Sequence, residues 1–360
     1  MAANRMTEKQ KAQALEYVAK HNNNITEAAK DMGIARGTLA YRLRMAGWER
    51  TDAMIEGADE SNSYTTADGE ITIPVLPDEN LSPEELVERM TTSFNRKKEN
   101  HESRRWIPIK VNSNMPIGLA WLGDPHVDDD GCDWPTLRRH VKLIQETEGF
   151  HGCSIGDVSN NWVGRLAALY ANQSATAQEA WKLVEWLIKE IDPLILIAGN
   201  HDMWSGAGDP VNWMKKPHTV YEDWSARIEL RFRNGSSTRL IAAHDMAGHS
   251  MWNQLHGPTK MARFQQNADF YIAGHKHTWA LSQIELPEAN RTPWLARARG
   301  YKFFDDYAVK LSLEEQRYGH SIAMIIDPNE DDPVRRVTCF ADLEEGADYL
   351  TYKRGKYKKG

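Results

Sequence analysis

The sequence predicts an α/β (or α+β) protein preceded by a small all-α module, and three observations lead to this prediction. Five short apolar runs between residues 117 and 273 have the length and composition of buried β-strands. Each run stops at a Gly or at a polar residue, as a strand does where its loop begins. The first 50 residues instead carry apolar residues at helical spacing, interrupted by Asn and Gly.

Side chains of metal-binding type follow each of the five apolar runs. The runs are residues 117–122, 153–155, 194–198, 240–243 and 270–273. The polar segments that follow them are Gly123-Asp124-Pro125-His126, Gly156-Asp157, Gly199-Asn200-His201-Asp202, His244 and Gly274-His275-Lys276-His277. Because strand ends deliver side chains into one crevice of a sheet, we expect these groups to lie together. Carboxylate and amide oxygens mixed with imidazoles suit Mn²⁺, Zn²⁺ or Fe better than Ca²⁺.

This ordered set of motifs resembles the calcineurin-like metallophosphoesterase superfamily over roughly residues 107–343. The resemblance implies a two-sheet β-sandwich flanked by helices, with two divalent metal ions at the strand ends. One ion would be held by Asp124, His126, Asp157 and His277. The other would be held by Asp157, Asn200, His244 and His275, with Asp157 bridging. Mn²⁺ is the favoured ion, with Zn²⁺, Fe and Mg²⁺ as alternatives, and His201 is implied as the acid that protonates the leaving oxygen.

Three positions of the site leave questions open. In the protein-phosphatase branch of that family the second motif reads Gly-Asp-x-x-Asp-Arg. Here Asn160 replaces the second Asp, so it can orient the His201 imidazole but not stabilise its charge. Asn161 replaces the phosphate-binding Arg, which argues against a phosphoprotein phosphatase. In the fourth motif His244 is the favoured ligand because it directly follows a strand, while His249 is the alternative ligand or a substrate contact.

Residues 1–50 predict a three-helix module with nine Lys or Arg and five Asp or Glu. Thr7 is expected to cap the first helix and Thr26 the second, and the third runs from about Ala35 to Met45 after a turn at Gly33. This segment resembles the helix-turn-helix of the Fis-type DNA-binding family. The resemblance implies major-groove binding by the third helix. The expected DNA contacts are Arg36, Thr38, Tyr41, Arg42 and Arg44. A small protein-interaction module is the alternative, and dimerisation to a homodimer is expected of so small a unit.

The remaining segments are assigned from their charge. Residues 51–81 hold eight acidic and no basic residues, which predicts a disordered linker. Residues 82–106 predict a charged helix and residues 344–360 a basic tail. The part of the tail from Tyr352 to Gly360 is expected to be disordered and able to touch DNA phosphates. Arg297 and Arg299 follow the last metal motif, so we expect them either to contact a substrate phosphate or to form structural ion pairs.

The composition of the chain indicates the cellular compartment in which the protein is expected. The 360 residues carry a net charge of −7, and no apolar stretch approaches the ~20 residues that span a bilayer. The start of the chain lacks the apolar core of a signal peptide. The three cysteines are widely spaced, which is typical of a reducing compartment. We therefore expect a cytoplasmic protein that does not contact a membrane.

These observations give three functional hypotheses. The first is a metal-dependent phosphodiesterase or nuclease that hydrolyses DNA, similar to phosphoesterases of bacteriophages and mobile elements. The second keeps the chemistry but takes a small nucleotide or a phosphomonoester, with the helix-turn-helix as a targeting module. The third is a DNA-binding regulator without catalytic activity.

Overall fold

The computed structural model describes residues 7–48, 63–74, 80–204, 209–265, 267–304 and 317–358. The chain divides into two compact units, Met1–Thr92 and Ser93–Gly360. In the described ranges, no helix is long and apolar enough to cross a bilayer.

The first unit contains three helices around a small apolar core. They are α1 (Glu8–Lys20), α2 (Ile25–Asp31) and α3 (Arg36–Met45). Their buried side chains are Ala14, Val18, Ala28, Ala29, Leu39 and Leu43. Helix α1 begins as predicted at Thr7, whose hydroxyl accepts the N–H of Gln10 while the Gln10 side chain accepts the Thr7 N–H.

The second helix begins earlier than predicted. Asn24, not Thr26, is its N-cap, and the Asn24 side chain accepts the N–H groups of Thr26 and Glu27 at 3.0 and 3.2 Å. The reason is that Asn caps a helix at least as well as Thr and comes first along the chain. The turn before α3 uses Gly33 at φ +65°, a conformation that glycine adopts without strain.

Part of the acidic segment is ordered, contrary to the predicted disorder. Strands β1 (Ser63–Thr65) and β2 (Thr72–Pro74) form an antiparallel pair. The predictions for residues 51–62 and 75–79 fall outside the described residues. Helix α4 (Pro83–Ser103) follows, and Ser82 and Glu85 cap its start reciprocally.

Two six-stranded sheets form the second unit. The first sheet has the order β14-β13-β4-β5-β6-β7. Its strands are β4 (Ile117–Leu122), β5 (Phe150–Ser154), β6 (Ile195–Ala198), β7 (Val220–Asp223), β13 (Ser321–Ile326) and β14 (Val337–Phe340). Strands β4 to β7 are parallel, whereas β13 pairs antiparallel with β4, and β14 pairs antiparallel with β13.

The second sheet has the order β11-β12-β10-β9-β8-β3. Its strands are β3 (Ile107–Val111), β8 (Ser225–Phe232), β9 (Ser237–Ala243), β10 (Phe270–Ala273), β11 (Ala280–Gln283) and β12 (Trp294–Arg297). Strands β9, β10 and β12 are parallel neighbours, so the carboxyl ends of β9 and β10 lie side by side.

The sheets pack face to face, and helices cover their outer faces. On β4, Leu119 and Trp121 point toward the second sheet, where the Trp121 ring lies 6.3 Å from the Phe270 ring. Ala120 and Leu122 point the opposite way, toward the helices. The helices on that face are α5 (Trp134–Glu146), α6 (Ala177–Ile191) and α11 (Leu343–Lys358). The predicted two-sheet sandwich is therefore confirmed.

The described part of the second unit also contains shorter elements. The helices are α7 (Asn200–Met203), α8 (Pro210–Met214), α9 (His256–Phe264) and α10 (Pro333–Arg336). Two 3₁₀ segments cover Gly164–Asn172 and Pro287–Ala289. Helix α9 packs on the outer face of the second sheet.

The predicted disordered tail is wrong, because residues up to Lys358 form helix α11. Leu343, Ala347 and Leu350 recur at helical spacing and are buried against the first sheet. The tail cations are engaged within the unit: Lys353 pairs with Asp327 at 3.0 Å, and Arg354 donates to the carbonyl of Pro116 at 2.8 Å. The many Lys and Tyr residues had hidden this apolar stripe, and the domain extends beyond the predicted boundary at residue 343.

Candidate metal centre

The five predicted segments meet at one edge of the sandwich. Asp124, Asp157 and Asn200 follow β4, β5 and β6 of the first sheet. His244 and His275 follow β9 and β10 of the second sheet. Because the strands are parallel within each set, their carboxyl ends open into the same cleft, as expected from the sequence.

One group of donors surrounds Asp124. Together with His126 and His277 it places one possible donor atom from each side chain within 4.8 Å of the others. His277 Nε2 lies 3.4 Å from Asp124 Oδ2, and His126 Nε2 lies 4.0 Å from Asp157 Oδ2. This is the set that the resemblance implies for the first ion.

A second group surrounds His244. Its Nε2 lies 3.0 Å from Asn200 Oδ1, 3.2 Å from His275 Nδ1 and 3.2 Å from Asp157 Oδ2. Asp157 thus borders both groups, which is the position required of a bridging carboxylate. His249 belongs to neither group and is exposed in the loop after β9.

The imidazole of His244 is oriented by the main chain. Its Nδ1–H donates to the carbonyl of Ile155 at 2.8 Å, which leaves Nε2 directed at the acceptors just described. Burial lowers the pKa of His244, but the hydrogen bond to Asp157 and the charge of Asp124 outweigh burial and raise that pKa to about 10. The surroundings of His244 Nε2 therefore favour a positive charge, either a proton or a metal ion.

Unpartnered buried atoms show that a cation fits the first group. Among the described residues, neither ring nitrogen of His126 has a hydrogen-bond partner, and neither has Asp124 Oδ1. His126 is only 3% exposed, and burial together with the charge of His277 lowers its pKa well below the usual value. A buried neutral imidazole without a partner costs free energy unless a ligand uses its lone pair.

The backbone is strained at four of the donors. The φ angles are positive at His126 (+42°), Asp157 (+49°), His275 (+66°) and His277 (+47°). Residues with a Cβ rarely adopt this left-handed region, and such outliers concentrate at functional sites.

Glycines precede the donors because a side chain would displace them. A Cβ at Gly199 would lie 2.2 Å from Asp157 Oδ1, and one at Gly274 would lie 2.6 Å from Asp124 Oδ1. Both distances are far below van der Waals contact, so these glycines make the donor geometry possible.

His201 lies at the rim of the cleft with its ring fixed. Its Nδ1 contacts the backbone carbonyl of Asn160, and its Nε2 lies 3.9 Å from Asp157 Oδ2. The Trp204 ring packs beside it at 4.1 Å between centroids. Asn160 therefore orients His201 through its main chain and not through the side chain that the sequence suggested.

Two aspartates hold Asn160 in that position. Asp128 Oδ1 accepts the Asn160 N–H at 2.6 Å, and Asp129 Oδ2 accepts its side-chain amide at 2.9 Å. Lys302 Nζ pairs with Asp129 at 3.1 Å. Asn161, at the position of the missing arginine, donates to the carbonyl of His201 at 2.7 Å.

Asp202 is a supporting residue to which the sequence analysis gave no role. It is 1% exposed and accepts the N–H groups of Asp157, Val158 and Gly199 at 2.7, 3.1 and 2.8 Å. Burial and the charge of Asp157 raise the pKa of Asp202 to about 7, against the effect of the N–H donors. Its position two residues after a ligand, in the first turn of a short helix, was the available signal.

Arg297 and Arg299 are buried, which favours the structural alternative over a contact with a substrate phosphate. Arg297 is 1% exposed and donates to the carbonyls of Gly274 at 2.5 Å and Gln254 at 3.0 Å. Arg299 is 3% exposed, contacts His320 Nε2 at 2.9 Å and lies over the Phe303 ring.

The predicted DNA contacts lie on α3. Arg36, Thr38, Tyr41 and Arg44 are exposed there, and Arg42 is half-buried. Their contact with DNA stays a prediction.

No known family pattern and no curated protein matches the sequence. Solved structures are similar to it at low identity. One is described as a predicted phosphoesterase from Streptococcus pneumoniae (TM-score 0.31, 12% identity, 59% of this chain and 84% of that one). Another is a calcineurin-like phosphoesterase from Bacillus subtilis (TM-score 0.32, 11% identity, 68% and 97%). The third, the NAD nucleotidase of Haemophilus influenzae, has a TM-score of 0.33 and 7% identity, over 63% of this chain and only 49% of that one. Similarity this low leaves the function to be inferred from the residues of the site.

Proposed function

We propose that this chain is a metal-dependent phosphoester hydrolase of the calcineurin-like type. One observation carries the proposal: seven predicted donors from five strand ends face one another around buried atoms that have no partner among the described residues. Without a cation, so many carboxylates and imidazoles in one buried place would be costly.

The donor set supports two divalent cations, with Mn²⁺ as the proposed pair. Oxygen and imidazole donors in mixture suit Mn²⁺, Zn²⁺ or Fe, and the neutral amide of Asn200 limits the negative charge of the site. Two such ions supply electrophilic activation of a phosphate group and of the attacking water. Asp157 links the two groups of donors because its carboxylate borders each of them.

His201 is proposed as the proton donor to the leaving oxygen. The Asn160 carbonyl accepts its Nδ1–H, so a second proton on Nε2 faces the cleft. A positioned imidazole of this kind contributes about 10²–10⁴ in rate when the leaving group is a poor one.

For the substrate we propose a phosphodiester of DNA, which α3 would bind. The exposed Arg36, Tyr41 and Arg44 on one short helix support this role. The same unit would act as a targeting module if the substrate is small.

A small nucleotide or phosphomonoester is the second candidate. The burial of Arg297 and Arg299 favours it, because neither guanidinium group is exposed to clamp the successive phosphates of a polyanion such as DNA.

The test is hydrolysis by the purified full chain with Mn²⁺. The substrates are end-labelled single- and double-stranded DNA, bis(4-nitrophenyl) phosphate and 4-nitrophenyl phosphate, each with an EDTA control. We expect EDTA-sensitive cleavage that disappears in the double variant Asp157→Ala with His277→Ala, while the exposed Asp331→Ala control stays active. Cleavage that survives the double change would overturn the site assignment.

Deletion of residues 1–50 separates the two substrate classes. A large loss of DNA cleavage with unchanged turnover of the nitrophenyl esters supports the DNA proposal. Turnover of small esters only, by both forms, supports the second candidate. A protein that binds no metal and hydrolyses none of these esters in Mn²⁺ would instead support the DNA-binding regulator.

A further inference from the structure

The imidazole of His201 lies against the rings of His126 and Trp204. The His126 ring, which belongs to the first group of donors, is 5.0 Å away between centroids and nearly perpendicular to it. The Trp204 ring is 4.1 Å away at an interplanar angle of 43°. Trp204 is only half-buried, so part of its indole remains in contact with solvent beside the proposed proton donor.

The proposed role of His201 decides what the Trp204 indole would meet. A proton donor has to lie within hydrogen-bond reach of the leaving oxygen, so the group bonded to that oxygen lies beside His201. Because Trp204 borders His201, the leaving group also comes close to the indole. This step rests on the proposed function, since it takes His201 as the proton donor.

The surface beside His201 offers more apolar area than hydrogen-bond donors. The side-chain amide of Asn161 donates to the carbonyl of His201 at 2.7 Å, and that of Asn160 donates to a carboxylate at 2.9 Å. Both amides are therefore already engaged within the protein. Met203, in the same turn as Trp204, is 36% exposed and adds apolar surface. Such a surface suits the flat face of a planar group.

We infer that Trp204 is a stacking platform for a nucleobase carried by the leaving group. A DNA phosphodiester and a small nucleotide, the two proposed kinds of substrate, both contain a nucleoside. The stacking of one base on an aromatic side chain corresponds to about 5- to 150-fold in binding. Every base has a flat face, so Trp204 selects for the presence of a base and not for one particular base.

The test compares esters that differ only in the base of the leaving group. Thymidine 5′-phosphate is paired with the same sugar phosphate without a base, and thymidylyl-thymidine with its analogues that lack either one base or the other. For the full chain in Mn²⁺, kcat/KM should fall about 5- to 150-fold when the leaving nucleoside lacks its base. Loss of the other base should have little effect, and the product that keeps the phosphate identifies the nucleoside that left.

Three variants assign this preference to the indole. Trp204→Leu keeps apolar bulk beside His201 but has no flat face, so it should abolish the dependence on the base. Trp204→Phe keeps an aromatic face and should retain most of the dependence. Trp213 is 71% exposed on α8, and Trp213→Ala, the control for loss of an indole, should behave as the wild type. Circular dichroism and Tm establish that the three variants are folded.

The possible failures are distinguishable. Equal hydrolysis of esters with and without a base by the wild type would overturn the stacking platform and leave the phosphoesterase assignment intact. An equal loss for both kinds of ester in Trp204→Leu would also overturn it, because the indole would then only hold the His201 ring in place. A chain inert toward every ester in Mn²⁺ would contradict the proposed function itself, and the platform with it.

Discussion

The metal centre and Arg297, the last residue of β12, are both buried, polar and close to strand ends, but their polar atoms differ in what they contact. His126 has two ring nitrogens without a partner among the described residues. Arg297 donates to two backbone carbonyls and lies 3.4 Å from Asp245. Residue type and position after a strand therefore do not distinguish function from support. The difference lies in whether the polar atoms are already satisfied by the protein.

This comparison makes opposite predictions for the two regions. Removing a donor with unsatisfied atoms should abolish activity and metal binding and cost little stability in the metal-free state. Removing a satisfied buried group should cost stability first, because its former partners lose their hydrogen bonds.

The largest effect is expected for His126→Ala. Loss of this imidazole should lower the rate of phosphoester hydrolysis at least about a thousandfold. The reason is that polarisation of the phosphate group by a metal ion lowers the free energy of activation by several kcal/mol. Wild-type protein should gain thermal stability when Mn²⁺ is added, and the variant should gain much less, because the ion binds only the folded state. Differential scanning calorimetry of each protein, once with EDTA and once with Mn²⁺, measures the two gains in Tm. An equal gain in Tm for the two proteins would show that His126 is not a ligand.

The largest loss of stability is expected for Arg297→Ala. Its loss leaves the carbonyls of Gly274 and Gln254 without this donor, which should lower the free energy of unfolding by about 2–4 kcal/mol. KM for a nitrophenyl ester should stay unchanged. The exposed Arg335→Ala serves as the control for loss of a guanidinium. A raised KM at unchanged Tm would instead restore the substrate contact that the sequence suggested.

His201→Asn should have an effect that depends on the leaving group. With an alkyl phosphodiester the rate should fall by about 10²–10⁴, because the departing alkoxide needs a proton. With a 4-nitrophenyl ester the fall should stay within about tenfold, since nitrophenolate leaves unprotonated. The rates of hydrolysis of both esters at saturating Mn²⁺ show whether His201 donates a proton to the leaving group. An equal loss for both would mean that His201 positions the ligands and does not donate the proton.

The smallest effect is expected for Asp202→Asn. This change keeps the size of the side chain but replaces one acceptor oxygen with an amide that faces N–H donors. Support of this kind for a metal ligand is typically worth about 10–100-fold in metal affinity. Titration with Mn²⁺ measures the change, and the ratio of rates for the two leaving groups should stay as in the wild type. An unchanged affinity would mean that the three N–H contacts of Asp202 do not position Asp157.

The sequence was most informative where chemistry and strand ends coincide. Asp124, Asp157 and Asn200 follow buried strands of one sheet, and apolar patterning predicts those strands directly. His244 was favoured over His249 on the same argument, and the structure brings only His244 into the cluster.

The sequence was least informative where a side chain's partner is a backbone group far along the chain. The partners of Arg297 are main-chain carbonyls, and those of Asp202 are main-chain N–H groups. The periodicity of apolar residues in the sequence does not reveal contacts between a side chain and a distant main-chain group. Asn160 illustrates the same limit, because its carbonyl, present in every residue type, is what contacts His201.

The place of β4 in its sheet has a consequence for biosynthesis. β4 leads into Asp124, yet its neighbour on one side is β13, where Ser321 pairs with Leu122. A growing polypeptide therefore exposes β4 as an open edge, apolar on both faces, until nearly the whole second unit has been synthesised. Folding dominated by such distant pairings is slow, and the open edge is a template for aggregation in the meantime. Nascent chains stopped before β13 should accordingly depend on chaperones, whereas those that include α11 should not.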